Sequence, residues 1–253
     1  MDIFDLSETN RSLTMKRLME RTREEKFSPI LMSRCLALIP TEENWTIFLS
    51  KDAPHFLLIR EGTRAIMTKF CYHYHMLSLK SYANVAHRCA AHKKFPLNQK
   101  VEKRANCYLK ALAGGGRCFM PLEGYVKPFK RGQIWVNPLE IQTIEKIKLP
   151  FSSGCEIILG DGFSLQISAE KRAEWAKLSH ALVLFANHRN NIWTHYFGEN
   201  HGMNPFYEGM TYSLEVKNFI NRLLKKYSSS ELLLPYGCFE QQKLRFYQEH
   251  EVF

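Results

Sequence analysis

One stretch, residues 155–167, restricts the fold more than any other part of this sequence. The mainly apolar run Cys155–Leu159 is followed by Gly-Asp-Gly at 160–162, and apolar and polar residues then alternate from Phe163 to Ile167. A Gly-Asp-Gly turn adopts positive φ angles at little cost, and alternation is typical of a half-buried strand. The sequence therefore predicts a β-hairpin over residues 155–167.

Short apolar runs bounded by breakers predict further strands. These runs are Ile30–Met32, Leu36–Ile39, Trp45–Leu49, His55–Ile59 and Ile134–Val136. The run Ile141–Ile147 is ambiguous between helix and strand, because its isoleucines recur every three residues.

Two amphipathic helices are predicted after the hairpin. Ser168 is a candidate N-cap for the first, and its apolar face is formed by Trp175, Leu178, Leu182 and Phe185. The second covers Leu214–Tyr227, with polar residues such as Asn218 and Asn221 opposite its apolar stripe. The predicted fold class is α+β, with N-terminal and central β-strands and with helices concentrated in the C-terminal third.

Composition shifts divide the chain into three parts. Residues 1–27 are predicted to form a charged, loosely attached N-terminal arm, 28–227 a single α+β domain, and 228–253 a C-terminal tail. No apolar run approaches the roughly 20 residues that span a bilayer, and the N-terminus does not resemble a signal peptide. The seven cysteines are single and odd in number. We therefore expect a cytoplasmic protein with reduced thiols and no membrane contact.

The positive charge is concentrated in one part of the sequence. The formal net charge is +10, and the interval from Lys69 to Arg131 contains thirteen Lys or Arg against two acids. Such one-sided clusters attract phosphate backbones, so the interval predicts nucleic-acid binding. A solvated face and a site for an acidic protein are the alternatives that remain open.

A Cys/His array lies inside the same interval. Its members are Cys71, His73, His75, His87, Cys89 and His92. These are zinc-ligand types, but their spacing matches no established zinc motif. No phosphate-binding glycine motif and no catalytic motif is present either. We expect no cofactor and no enzymatic activity, with a zinc-dependent enzyme at this array as the enzyme alternative.

Between Arg117 and Asn187, three motifs follow one another: Cys118–Gly124, Ile134–Pro138 and the Gly-Asp-Gly hairpin. Their order and spacing resemble those of the competence transcription factor (ComK) family of Gram-positive bacteria. Leu36–Pro40, Phe70-Cys71 and Phe95-Pro96 are also similar to family landmarks, so the resemblance covers about residues 37–187.

The resemblance implies a transcription activator of DNA-uptake genes that binds AT-rich double-stranded DNA, largely through the minor groove, as more than one copy. An arginine or lysine is attracted to the narrow minor groove of such DNA. The segment Leu232–Tyr236 resembles, without its basic residue, the C-terminal motif that a Clp-protease adaptor reads. The expected location is the nucleoid.

Nine basic residues are the candidates for DNA contact. They are Arg88, Lys93, Lys94, Lys100, Lys103, Arg104, Lys127, Lys130 and Arg131. An RNA-binding or non-specific nucleic-acid-binding protein is the alternative that the same residues support.

Overall fold

A computed structural model describes the chain over residues 2–7, 10–74, 77–78, 111–114, 117–122, 133–149, 153–175, 177–178, 181–182, 185, 218 and 221. The helices described over their whole length include α1 (Arg11–Glu20), α2 (Thr63–Tyr74) and a 3₁₀ helix, η1, over Pro29–Arg34. The strands are β1 (Asp2–Asp5), β2 (Arg23–Glu24), β3 (Cys35–Pro40), β4 (Thr46–Ser50), β5 (Phe56–Ile59), β6 (Leu77–Ser78), β7 (Leu112–Gly114), β8 (Arg117–Pro121), β9 (Trp135–Val136), β10 (Ile141–Lys148), β11 (Ser153–Leu159) and β12 (Phe163–Ile167).

The described strands form two sheets. The large sheet has the order β2-β5-β4-β3-β9-β8-β7-β6 and is antiparallel except for the parallel pair β2–β5. The small sheet has the order β1-β12-β11-β10, with β1 parallel to β12. Because strands and helices are both present, the α+β class predicted from the sequence is confirmed.

The large sheet is covered on both faces at strands β3, β4 and β5. Every residue of β3, β4 and β5 is buried. Alternate residues of β4 belong to different apolar clusters. Ile47 and Leu49 belong to the cluster that includes the buried residues of the small sheet, whereas Phe48 belongs to the cluster that includes residues of α2 and η1. A bulge in β3 places the neighbours Leu36 and Ala37 in the same cluster. The fully apolar runs in the sequence therefore correspond to strands that are buried on both faces.

The N-terminal segment is part of the core, which corrects the expectation of a loosely attached arm. It forms β1 at the edge of the small sheet, α1, and β2 at the edge of the large sheet. Phe4, Leu6, Met15 and Leu18 are buried in the main apolar cluster. Charged residues dominate the composition because only one side of α1 is buried, so few apolar residues suffice to attach it.

The predicted hairpin is confirmed. β11 and β12 are antiparallel, with Ile157 opposite Leu165. Asp161 and Gly162 both have positive φ, 56° and 75°, and the Phe163 amide donates to the Gly160 carbonyl. Two central residues with positive φ define a type I′ turn, whose twist matches that of the strands.

Replacing Gly162 by alanine is expected to destabilise the protein by about 1 kcal/mol, since an L-residue with a Cβ is strained at positive φ. Gly160 has no positive φ, and its nearest obstacle is the end of the Glu140 side chain. Gly160→Ala is therefore the matched control, and urea denaturation of both variants measures the difference. Equal midpoints for the two variants would contradict the turn assignment.

One other expectation is corrected by the structure. Ile30–Met32 is part of η1 instead of a strand, because Pro29 at the start of the segment favours a helical turn. The predicted concentration of helices in the C-terminal third stays a prediction, since most of that third lies outside the described residues; α1 and α2 lie within the first 74 residues. The ambiguous run Ile141–Ile147 is strand β10, and a bulge between Ile141 and Thr143 brings Ile141 and Ile144 to the same buried face.

The first predicted helix is present in the described residues, and we label it α3. Its helical residues are 171–175, 177, 178, 181, 182 and 185, and Leu178, Leu182 and Phe185 are buried as the periodicity predicts. It begins after Glu170, whose carbonyl accepts from the amides of Ala173 and Glu174, so Ser168 is not the N-cap. Of the second predicted helix, Asn218 and Asn221 are described, and both are helical and exposed.

Candidate nucleic-acid interface

The strand register shows which ends of the large-sheet strands lie together. Ile59 pairs with Thr46, Thr46 with Pro40, and Trp135 with both Leu38 and Pro121. Leu112 is opposite Phe119 and Ser78 is opposite Leu112. One end of the sheet is therefore formed by Ile59, Thr46, Pro40, Trp135, Pro121, Leu112 and Ser78, and we call it the Pro121 end. The opposite end, with Phe56, Ser50 and Gly114, is called the Gly114 end.

Two long connections begin and end at the Pro121 end. Residues 79–110 connect β6 to its neighbour β7, and residues 123–132 connect β8 to its neighbour β9. The first contains eight Lys or Arg and one acid, and the second contains three and one. Together they have a net charge of +9, out of +10 for the whole chain. The centres of the two strand pairs are about two strand spacings apart, or roughly 10 Å.

All nine predicted contact residues belong to these two connections and lie outside the described residues. Arg88, Lys93, Lys94, Lys100, Lys103 and Arg104 belong to the first, and Lys127, Lys130 and Arg131 to the second. What the described residues provide is the position of the four strand ends at which the connections start and finish. That the side chains form one surface stays a prediction.

In the described residues, the basic side chains are nearly balanced in number by acids. The described residues include seventeen Lys and Arg against fifteen Asp and Glu. Five ion pairs lie at or near the surface, namely Arg21–Asp2, Arg34–Asp52, Lys51–Glu140, Arg60–Glu24 and Lys69–Glu61. Of the net charge of +10, the described residues contribute +2 and the undescribed residues +8, and the two connections, at +9, account for all of the latter.

The turn between β3 and β4 also lies at the Pro121 end. It contains the exposed acids Glu42 and Glu43, followed by Asn44 at φ 63° and the half-buried Trp45. Three hydrogen bonds hold the turn: Trp45 N donates to Thr41 Oγ1 at 3.1 Å, Thr41 N donates to the Trp45 carbonyl at 2.9 Å, and Asn44 N donates to the Thr41 carbonyl at 3.3 Å. The Pro121 end thus combines basic connections with one acidic turn.

The Cys/His array is only partly described. The backbones of Cys71 and His73 are in α2, and residues two apart on a helix do not share a face. His75, His87, Cys89 and His92 lie outside the described residues. Within the described part of the chain, no three His, Cys, Asp or Glu are grouped to hold a metal ion.

Three thiols are buried in the core. Cys35, Cys118 and Cys155 are each at most 1% exposed. Burial raises the pKa of Cys35 and Cys118 well above the ordinary thiol value. Burial, with the nearby Glu174 carboxylate, raises the pKa of Cys155 to about 12. Because the thiolate is the reactive form, these three are poor nucleophiles.

We therefore expect these three cysteines to resist alkylation by iodoacetamide at pH 8 in the native protein. All three should react after unfolding in urea, when they become exposed. Peptide mass spectrometry measures the modified fraction at each position. Native alkylation of Cys35 at the rate seen in urea would contradict the packing of β3.

Sequence reasoning missed a buried ion pair on α3. Lys177 Nζ contacts Glu174 Oε1 at 2.9 Å, with the two side chains 3% and 0% exposed. Trp175, between them in sequence, donates its indole N–H to the Ile144 carbonyl at 3.3 Å. An i,i+3 Glu–Lys pair is common on exposed helices, so the sequence contained no signal that this one is buried.

Comparison with protein-family models, curated proteins and solved structures gives no match. In the described residues, no helix is long and apolar enough to cross a membrane. The resemblance to the competence transcription factor family therefore stays a prediction from sequence.

Proposed function

We propose that the chain is a double-stranded DNA-binding transcription activator, whose two basic connections at the Pro121 end contact the phosphate backbone. The observation that carries the proposal is the location of the charge. Connections with a net charge of +9 start and finish on adjacent strands at one end of the large sheet. Tethering both connections to one end favours a single basic surface over charges scattered around the molecule.

Phosphate contact is the chemistry that suits this surface. Each phosphate neutralised by Lys or Arg releases condensed counterions, so a basic surface gains affinity from DNA even without base contacts. Phosphate contacts also set the position of the protein on the duplex. An acidic protein partner offers fewer regularly spaced charges, since duplex DNA carries one charge per about 1.7 Å of its axis.

The regulatory role rests on the resemblance alone. It includes activation of DNA-uptake genes, preference for AT-rich sites, self-association on DNA and a cytoplasmic, nucleoid-associated location. A Clp-protease adaptor is a further proposed partner, through Leu232–Tyr236, which lies outside the described residues. We propose no catalytic activity, no metal and no cofactor.

Affinities for an AT-rich duplex, a scrambled duplex and an RNA of equal length, at the same salt concentration, test the proposal. The AT-rich duplex is expected to bind at least about tenfold more tightly than the other two. Equal affinity for all three would contradict an activator and favour a non-specific nucleic-acid-binding protein. Tightest binding of the RNA would favour an RNA-binding protein.

Metal analysis of the purified protein tests the enzyme alternative. We expect less than one zinc per ten chains. One zinc per chain in the purified protein would contradict the proposal. The enzyme alternative would gain support if mutation of the Cys/His array removed both this zinc and a hydrolytic activity.

A further inference from the structure

Two arginines of the described residues have the same surroundings at opposite ends of β5. The Arg60 guanidinium lies 5.2 Å from the centre of the Trp45 ring and contacts Glu24 Oε2 at 2.8 Å. The Arg21 guanidinium lies 4.3 Å from the centre of the Phe56 ring and contacts Asp2 Oδ2 at 2.7 Å. Each arginine is therefore held by an aromatic ring and one carboxylate.

The two arginines differ in their position on the sheet. Arg60 follows Ile59 and lies at the Pro121 end, whereas Phe56, over which Arg21 lies, is at the Gly114 end. The strand of Arg60 is three strand spacings from β9, where the second basic connection finishes, or about 14 Å. That distance corresponds to about four base pairs of duplex, at roughly 3.4 Å each.

We infer that Arg60 is an additional phosphate-contacting residue. In the free protein Glu24 forms an ion pair with its guanidinium, and on binding a DNA phosphate replaces the Glu24 carboxylate. This inference rests on the proposed function, since it adds a phosphate contact at the Pro121 end, on the far side of the acidic turn with Glu42 and Glu43 from the basic connections. Its ligand is the phosphate backbone of duplex DNA.

The carboxylate can be exchanged because the ion pair is exposed. The side chains of Arg60 and Glu24 are 61% and 58% exposed, and an exposed ion pair favours its paired state by only about fivefold or less. A phosphate oxygen offers the same charge-assisted hydrogen bond to the guanidinium. Exchange therefore replaces one weak contact by another of the same kind, and it releases counterions from the DNA.

The stack on Trp45 keeps the guanidinium in place during this exchange. Trp45 is held by the Thr41 hydrogen bonds of its turn and packs against the main apolar cluster. The chain on the other side of Arg60 is also held, because Thr46 Oγ1 donates to the Glu61 carbonyl at 2.7 Å. An arginine that is already oriented loses less conformational entropy when it contacts a phosphate.

The test compares matched variants in duplex binding at fixed, low salt. Arg60→Gln is expected to lower affinity by about three- to tenfold, which is the effect of losing one or two phosphate contacts, whereas Arg21→Gln should change it less than about twofold. Glu24→Gln should raise affinity by about two- to fivefold. Asp2→Asn changes the net charge equally and should have a smaller effect. Arg60→Lys keeps the positive charge but loses the stacked guanidinium, so it should recover only part of the affinity.

The double variant Glu24→Gln, Arg60→Gln distinguishes competition between Glu24 and phosphate for Arg60 from a general effect of net charge on DNA affinity. If Glu24 competes with phosphate for Arg60, Glu24→Gln in the Arg60→Gln background should raise affinity no more than Asp2→Asn does in the wild type. An equal gain in both backgrounds would overturn the inference. All variants alter exposed side chains, and thermal unfolding followed by circular dichroism confirms that each is folded.

The outcomes also separate this inference from the proposed function. If Lys93→Glu with Lys94→Glu weakens duplex binding while Arg60→Gln and Arg21→Gln have equal effects, the inference is wrong and the proposed function stands. If the wild-type chain does not bind duplex DNA at all, both are wrong.

Discussion

Replacing Phe119 by alanine is expected to lower the free energy of unfolding by about 3–5 kcal/mol. Phe119 is fully buried in the centre of β8. Its ring meets that of Phe70, on α2, edge to face, with the ring centres 5.3 Å apart and the planes at 86°. The substitution removes both the buried area of the ring and this aromatic contact, and the backbone of the large sheet cannot collapse into the space.

Urea denaturation measures this loss, provided that the dependence of the unfolding free energy on urea is the same in both proteins. Ile30→Ala is the control, because Ile30 is 73% exposed on η1 and its truncation should cost no more than about 0.5 kcal/mol. A loss of less than about 1.5 kcal/mol for Phe119→Ala would show that α2 does not pack on β8.

Reversing the charge of Lys93 and Lys94 is expected to weaken duplex binding by at least about tenfold at moderate salt. The slope of log affinity against log salt should also fall in magnitude by about 2, since each phosphate contact contributes about 0.9. Both residues belong to the longer basic connection, which we propose contacts phosphates. Because phosphate contacts do not depend on the base sequence, the loss of affinity should be similar for different DNA sequences.

Lys146→Glu with Lys148→Glu is the matched control. These two lysines are exposed on β10 of the small sheet, opposite Cys155 and Ser153, and the substitution changes the net charge by the same amount. Fluorescence anisotropy with a labelled duplex measures both affinities over a range of salt. A similar loss for the two variants would mean that affinity follows net charge alone, and that the connections have no special role.

The central part of the fold was predictable because its local signals agree with its packing. The hairpin at 155–167 has a turn whose two central residues, Asp161 and Gly162, tolerate positive φ. The apolar runs of β3, β4 and β5 are strands because both faces of the large sheet are covered at these strands. In these segments, hydrophobic pattern, turn residues and burial all indicate the same structure.

The N-terminal segment was not predictable, because its structure depends on distant partners. β1 is a strand because it pairs with β12, more than 150 residues away in the sequence, and β2 pairs with β5. Neither segment has a strong local strand pattern. Tertiary pairing decided their structure, as it often does for short edge strands.

The candidate site was predictable in its charge but not in its geometry. Counting Lys and Arg locates the basic interval, yet composition cannot show that both connections belong to one end of a sheet. That information is in the register, for example in the pairing of Pro121 with Trp135 and of Ser78 with Leu112. The surroundings of Arg60 were also invisible, since Glu24, Trp45 and Arg60 belong to three separate segments of the sequence.

Lysine footprinting tests the central claim most directly, namely that the two connections form one surface for duplex DNA. The protein is acetylated with and without an AT-rich duplex, and mass spectrometry measures the protection of each lysine. We predict joint protection of Lys93 and Lys94 in one connection and of Lys127 and Lys130 in the other, with Lys146 and Lys148 unchanged. Protection confined to one connection, or equal protection of Lys146 and Lys148, would contradict the claim.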